Sequence, residues 1–163
     1  MPKVLIADKM DKQAEEIFRR NGIDFDIRTG LSPEELIPLV GAYDGIACRS
    51  SAKVTADVVK AASSVKVIGR AGIGVDTIDV PAATSAGIVV MNTPFGNSIT
   101  TAEHSVAMMM ALARQIPQAS ASTHAGKWEK SKFMGVELYA KVLGVIGCGN
   151  IGAIVANRAI GLG

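Results

Sequence analysis

Five short apolar runs, Val4–Asp8, Phe25–Arg28, Tyr43–Cys48, Val65–Gly69 and Ile88–Met91, alternate with segments of helical periodicity. A strand followed by a helix and then another strand returns the chain parallel to itself, so this rhythm predicts an open parallel sheet with helices on its faces. The intervening segments carry helix punctuation. Ala14, Ile17 and Phe18 share one helical face before a stop at Asn21-Gly22, and Ser32-Pro33-Glu34-Glu35 is a capping box with proline in the first turn. Pro38 is expected to kink or shorten that second helix. Thr55–Ala62 and Asp79–Ala86 give two further helical segments, the latter closed by Gly87.

Asn92-Thr93-Pro94-Phe95-Gly96-Asn97 is rich in turn residues and reads as a hinge between two domains, residues 1–96 and 97–163. A long helix follows. Thr100 and Glu103 have capping-box spacing, and Val106, Met109, Met110 and Ala113 form an apolar face ahead of Pro117, expected to pack as a core helix between the domains. Gln118–Lys130 is a polar helix or arm that leads to Trp128, and a second sheet is predicted to start near Lys141.

The run Val142-Leu143-Gly144-Val145-Ile146 leads into Gly147-Cys148-Gly149-Asn150-Ile151-Gly152, after which Ile154, Val155, Ala159 and Leu162 recur at helical spacing. Glycines placed between a strand and a helix allow a tight turn, close approach of a diphosphate to backbone, and close helix–strand packing. The free amides and positive dipole end of such a helix favour an anion. The usual acidic partner of the ribose, about 20 residues further on, has no counterpart, since no Asp or Glu follows Glu137. A second cluster, Gly69-Arg70-Ala71-Gly72-Ile73-Gly74, has different glycine spacing and is interrupted by Asp76, Asp79 and Pro81, so it is a bend and not a second fingerprint. Arg70 in that bend and Arg49-Ser50-Ser51 stand at the carboxyl ends of predicted strands, the edge where open α/β sheets take ligands. Two arginines there point to an anionic ligand; solvated loop arginines are the alternative.

A formal net charge of +2, with Lys and Arg scattered along the chain, argues against nucleic acid. No uncharged segment is long enough to span a bilayer, the most apolar being Ser105–Ala113, and the start Met1–Asp8 is too brief for the apolar core of a secretion signal. Cys48 and Cys148 stand apart with no CxxC spacing, which excludes a disulfide framework or zinc site from spacing and fits a reducing cytoplasm. His104 and His124 have no carboxylate placed beside them by spacing and read as surface or satisfied histidines, while Cys148 is expected to fill space behind the phosphate loop. No metal-ligating or nucleophile–base constellation stands out.

Gly69–Asp76, Met91–Ser98, Thr101-Ala102-Glu103, Gly126-Lys127-Trp128 and the glycine fingerprint together resemble the NAD-dependent D-2-hydroxyacid dehydrogenases, in that family's order and to the last residue. Arg49–Thr55, Phe133-Met134-Gly135 and Glu137-Leu138 look most like the branch whose substrate carries a phosphate. The resemblance implies a flavodoxin-like substrate-binding domain over residues 1–96, followed by the start of a Rossmann NAD-binding domain over 97–163, cut off after its first strand and helix. Arg49, Ser50, Arg70, the amides of Ala71 and Gly72, and Asn97 would line the site of a small anionic hydroxyacid. Ile73, where relatives often carry Thr, together with Gly147, Gly149, Asn150, Ile151 and Gly152 would meet NAD. Trp128 would cross to a second copy in a homodimer or homotetramer. The family's catalytic arginine, glutamate and histidine find no match, so no catalytic residue is assigned and the 163-residue chain alone is expected to be inactive. Another hydroxyacid enzyme of the family, such as a glyoxylate or hydroxypyruvate reductase, or a non-catalytic binding module, is the alternative.

Overall fold

The computed structural model describes all 163 residues, which divide into two compact units, Met1–Gly96 and Asn97–Gly163. Unit 1 is built as β1 (Lys3–Ile6), α1 (Lys12–Arg20), β2 (Asp24–Ile27), α2 (Pro33–Val40), β3 (Gly45–Cys48), α3 (Ala56–Ala61), β4 (Val67–Arg70), α4 (Val80–Ser85) and β5 (Val89–Met91). All five strands run parallel in the order β2-β1-β3-β4-β5. That is the flavodoxin-like order, in which the direction of winding reverses between β1 and β3.

Side-chain caps start each helix of this unit. Asp11 accepts from the Gln13 amide, Thr55 from Val58, and Asp79 from Ala82, while Ser32 and Glu35 complete a reciprocal capping box. Such caps satisfy amides that have no partner within the helix. Helix α2 continues through Pro38 and stops at Val40. Pro38 is exposed, so water can take the carbonyl that its missing N–H leaves free. The core lies between sheet and helices: Leu5, Ile46 and Ile68 from the strands close on Leu36, Val40, Val58 and Ala83 from the helices, all buried.

Unit 2 is helical: α5 (Ser98–Ala113), α6 (Ile116–His124), a single 3-10 turn at Lys130–Lys132, and α7 (Asn150–Ile160). Arg158 on α7 pairs with Glu103 on α5 at 2.9 Å. Three expectations change here. The Thr100/Glu103 capping box does not form, because α5 already begins at Ser98 and Glu103 lies inside it, facing Arg158. Met109 and Met110 are half-buried, so this face of α5 is not a sealed core. The run Val142–Ile146 forms no strand; a strand is completed by a ladder partner, and every regular element of this unit is a helix. No helix is long and apolar enough to cross a membrane.

Candidate functional site

The carboxyl edge of the unit 1 sheet gathers Asp8 after β1, Arg49 and Ser50 after β3, and Arg70 at the end of β4. Cys48 and Arg70 are register partners, so the two arginines leave adjacent strands at the same edge. They are held differently. Arg49 is exposed and its Nη1 makes only a long contact, 3.4 Å, with the Lys9 carbonyl. Arg70 is 8% exposed, its Nη1 donates to Asp76 Oδ1 at 2.6 Å, and its Nε is buried without a partner. A guanidinium with unspent donors inside protein is poised for an incoming oxyanion.

The bend after β4 wraps this guanidinium. A Cβ on Gly74 would stand 2.8 Å from Asp76 Oδ1 and 3.5 Å from Arg70 Nη1, so a side chain there would push the exposed Asp76 carboxylate from its place on Arg70. The hydrogen bond from Arg70 is the main reason the Asp76 carboxyl titrates below its ordinary range. Asn92 Nδ2 donates to the Ile73 carbonyl at 2.7 Å, and the Thr93 amide to the Gly72 carbonyl at 2.9 Å, which fix the far side of the bend. The expectation that the Ala71 and Gly72 amides face the ligand is corrected. Ala71 donates to the Cys48 carbonyl, extending the β3–β4 ladder, and Gly72 donates to the Arg70 carbonyl. The amides of Ile73 and Gly74, next in the bend, have no partner in the chain.

Beneath the arginines, Cys48 is fully buried, and burial, reinforced by the charge of Asp8 and opposed by Arg70, pushes its thiol up to about 11. Asp8 is 4% exposed, and its Oδ2 accepts from the amides of Arg49 at 2.6 Å and Ala52 at 3.0 Å. Neither Asp8 nor Asp76 was singled out by sequence. The available signals were an aspartate ending the first strand of a parallel sheet, and one six residues after an arginine in a glycine-rich bend.

In unit 2, Asn97 is the exposed residue preceding α5, and its side chain makes no capping bond. The fingerprint forms the turn into α7. Gly147 has φ +88°, a left-handed conformation, and a Cβ on Gly152 would overlap the Gly147 carbonyl. Both glycines are thus required by the turn. Gly149 differs: a Cβ there would meet nothing within 4 Å, so packing does not demand glycine and its absent side chain leaves open space before the helix. No side chain caps α7, and the amides of Asn150, Ile151 and Gly152 precede its first helical bond, from Ala153 to the Gly149 carbonyl. Cys148 is exposed and does not fill space behind this turn, contrary to expectation, because Val142–Gly149 has no sheet to pack against. His104 and His124 are exposed on α5 and α6, and His124 Nδ1 lies 2.9 Å from the Ser120 carbonyl.

Residues 4–157 match the family model of the D-isomer specific 2-hydroxyacid dehydrogenase, catalytic domain. The chain belongs to this family. It is 53% identical over 156 residues to D-3-phosphoglycerate dehydrogenase of Archaeoglobus fulgidus, covering 96% of this chain and 30% of that protein. It is 52% identical over 163 residues to D-3-phosphoglycerate dehydrogenase of a Synechocystis species, covering 100% of this chain and 29% of that protein. It spans under a third of the length of either relative. Among solved structures, the TT0316 protein of Thermus thermophilus superposes with a TM-score of 0.88 at 30% identity, over 98% of this chain and 53% of that one.

Proposed function

We propose that this chain supplies the substrate-binding domain, residues 1–96, and the start of the NAD-binding domain, residues 97–163, of an NAD-dependent D-3-phosphoglycerate dehydrogenase. The reaction oxidises D-3-phosphoglycerate at C2 to 3-phosphohydroxypyruvate. The observation that carries this reading is the buried guanidinium of Arg70 with an unpartnered Nε, beside the exposed Arg49, at the ligand edge of a parallel sheet. A substrate with a carboxylate at one end and a phosphate at the other matches two arginines leaving adjacent strands. Identity above 50% to relatives bearing that name supports the choice within the family.

The residues of the α7 turn fit a dinucleotide. Uncapped first-turn amides at Asn150, Ile151 and Gly152 would hold the pyrophosphate, and the space in front of Gly149 admits it. NAD, when bound, accepts the hydride from C2. The residues of this chain bind and orient: Arg49, Ser50 and Arg70 grip the anionic groups, Gly72 and Ile73 shape the bend beside them, and Asn97 adds a polar side chain at the start of α5. Pairing of two copies through unit 2 belongs to the same proposal and is supported by Trp128, which stands exposed after α6.

A graft tests the assignment. This chain, replacing the matching 156 residues of the Archaeoglobus fulgidus enzyme, should form NADH from D-3-phosphoglycerate, read at 340 nm, and lose most of that activity with D-glycerate. Arg70→Ala in the graft should raise the substrate KM by about 10- to 100-fold, as expected for one lost charge-assisted contact, with little change in the KM for NAD. Equal turnover of D-glycerate would point instead to another hydroxyacid enzyme of the family.

A further inference from the structure

The reversal of winding between β1 and β3 opens a crevice at the carboxyl ends of these two strands. Asp8, two residues beyond β1, sits in that reversal. The Ala7 amide still donates to the Ala47 carbonyl at 2.8 Å, so the β1–β3 ladder runs up to the residue before Asp8 and mounts its carboxyl on a rigid element. From there Oδ2 alone accepts from the amides of Arg49 and Ala52. These donors bracket Ser50 and Ser51, and one oxygen therefore closes residues 49–52 into a turn. The next residue but one is fixed as well: the Val54 amide donates to the Thr77 carbonyl at 2.8 Å, and the Asp79 amide to the Val54 carbonyl at 2.9 Å.

Between these anchors, Ser50 and Ser51 are exposed, and their amides have no partner in the chain. Two consecutive free amides beside a guanidinium form a concavity for an oxyanion. The negative charge of Asp8 would oppose an anion there if it acted through the field. Its two amide bonds and burial instead make it a geometric device, with its charge spent on the donors it holds.

We propose that Asp8 is the positioning residue of this anion site, holding segment 49–52 so that Arg49 and the amides of Ser50 and Ser51 converge on one oxyanion, a phosphate or a carboxylate. The inference rests on the anion-binding reading of this edge but not on which hydroxyacid is bound.

The test is an amide NMR titration of the 163-residue chain with inorganic phosphate and, separately, with acetate, which shows which oxyanion the turn prefers. Ser50 and Ser51 should shift on titration of the unsubstituted chain. Asp8→Ala should weaken binding by about tenfold or more, while Asp8→Asn, which keeps an acceptor oxygen for both amides, should restore it to within about threefold. Val40→Ala, a core truncation on α2 that removes no group of the turn, separates positioning from stability: it should lower the unfolding midpoint without weakening the anion. Unchanged affinity in Asp8→Ala, an affinity loss in Val40→Ala that tracks its stability, or the absence of any shift at Ser50 and Ser51 would overturn the proposal. A graft that makes no NADH from D-3-phosphoglycerate would defeat the assignment of the reaction and leave the outcome of this titration standing.

Discussion

In unit 1 each strand has at least one neighbour, and α2, α3 and α4 each bury apolar residues in one core with the sheet, so residues such as Leu5, Val40 and Ile68 are wholly removed from water; α1 alone among its helices buries none. Unit 2 carries apolar runs of comparable strength but keeps them wet: Val142 and Ile146 are fully exposed, and α6 and α7 contain no buried residue. The contrast separates two things that a hydropathy pattern conflates. An apolar run states what a segment would bury; whether it becomes a strand depends on a partner that its own sequence does not contain.

The two cysteines are probes of this difference, and the largest effect should be theirs. Cys48 is fully buried with its thiol pushed up to about 11, so at pH 8 only about a thousandth is thiolate even before access is considered. Cys148 is exposed. A disulfide reagent under native conditions should therefore modify one thiol quickly and the second only after denaturant is added. Two thiols reacting at similar rates in the native chain would mean that the core of unit 1 opens as readily as the turn of unit 2.

Matched truncations test the same contrast energetically. Ile68→Ala removes a fully buried β4 side chain from between sheet and helices and should cost about 2–5 kcal/mol of stability in urea unfolding. Ile146→Ala removes a side chain that touches solvent on all sides and should stay within about 0.5 kcal/mol of the parent. Comparable losses at the two positions would show that Val142–Ile146 is packed in solution.

Legibility in the sequence follows the same division. The five strands, the capping box at Ser32, the helical segments from Thr55 and Asp79, and the helix that follows the glycine fingerprint were readable because each rests on contacts within a few residues or on periodicity that the sheet then uses. The strand near Lys141 and the buried role of Cys148 were not, since both require a ladder partner from elsewhere. At the ligand edge, Arg49 and Arg70 were found because their position at strand ends is a sequence property. Asp8 and Asp76 were missed because their partners, at separations of 41, 44 and 6 residues, are joined to them only by the fold. The Ala71 amide was assigned to the ligand for the converse reason: the ladder bond that consumes it extends beyond where the strand appears to end.

The smallest effects belong to the exposed ion pairs, and they should be alike in the two units. In unit 1, Lys3 Nζ and the Tyr43 hydroxyl both lie 2.8 Å from Asp26 Oδ2; in unit 2, Lys132 Nζ and the Ser122 hydroxyl each lie 2.8 Å from a carboxylate oxygen of Glu129. The hydrogen bond from lysine, followed by that from the hydroxyl, lowers both carboxyls below their ordinary values. The sign is therefore shared. Each pair contributes stability above the ordinary carboxylate value, and the contribution is lost as pH falls through the lowered one. At the alkaline end the unit 1 cluster should respond, because Lys3, raised chiefly by its bond to Asp26, and Tyr43, raised chiefly by burial, both hold their protons past their ordinary values. Their contribution is present below those values and lost as pH rises through the raised ones. Carboxyl NMR titrations should find Asp26 and Glu129 depressed together, with 1 M salt shrinking both shifts, since screening acts within about 3 Å at that ionic strength. Lys3→Met should return Asp26 only part of the way, because the Tyr43 hydroxyl remains. A full return would show that the tyrosine bond does not hold in solution, and that this edge of unit 1 is as loosely organised as the surface of unit 2.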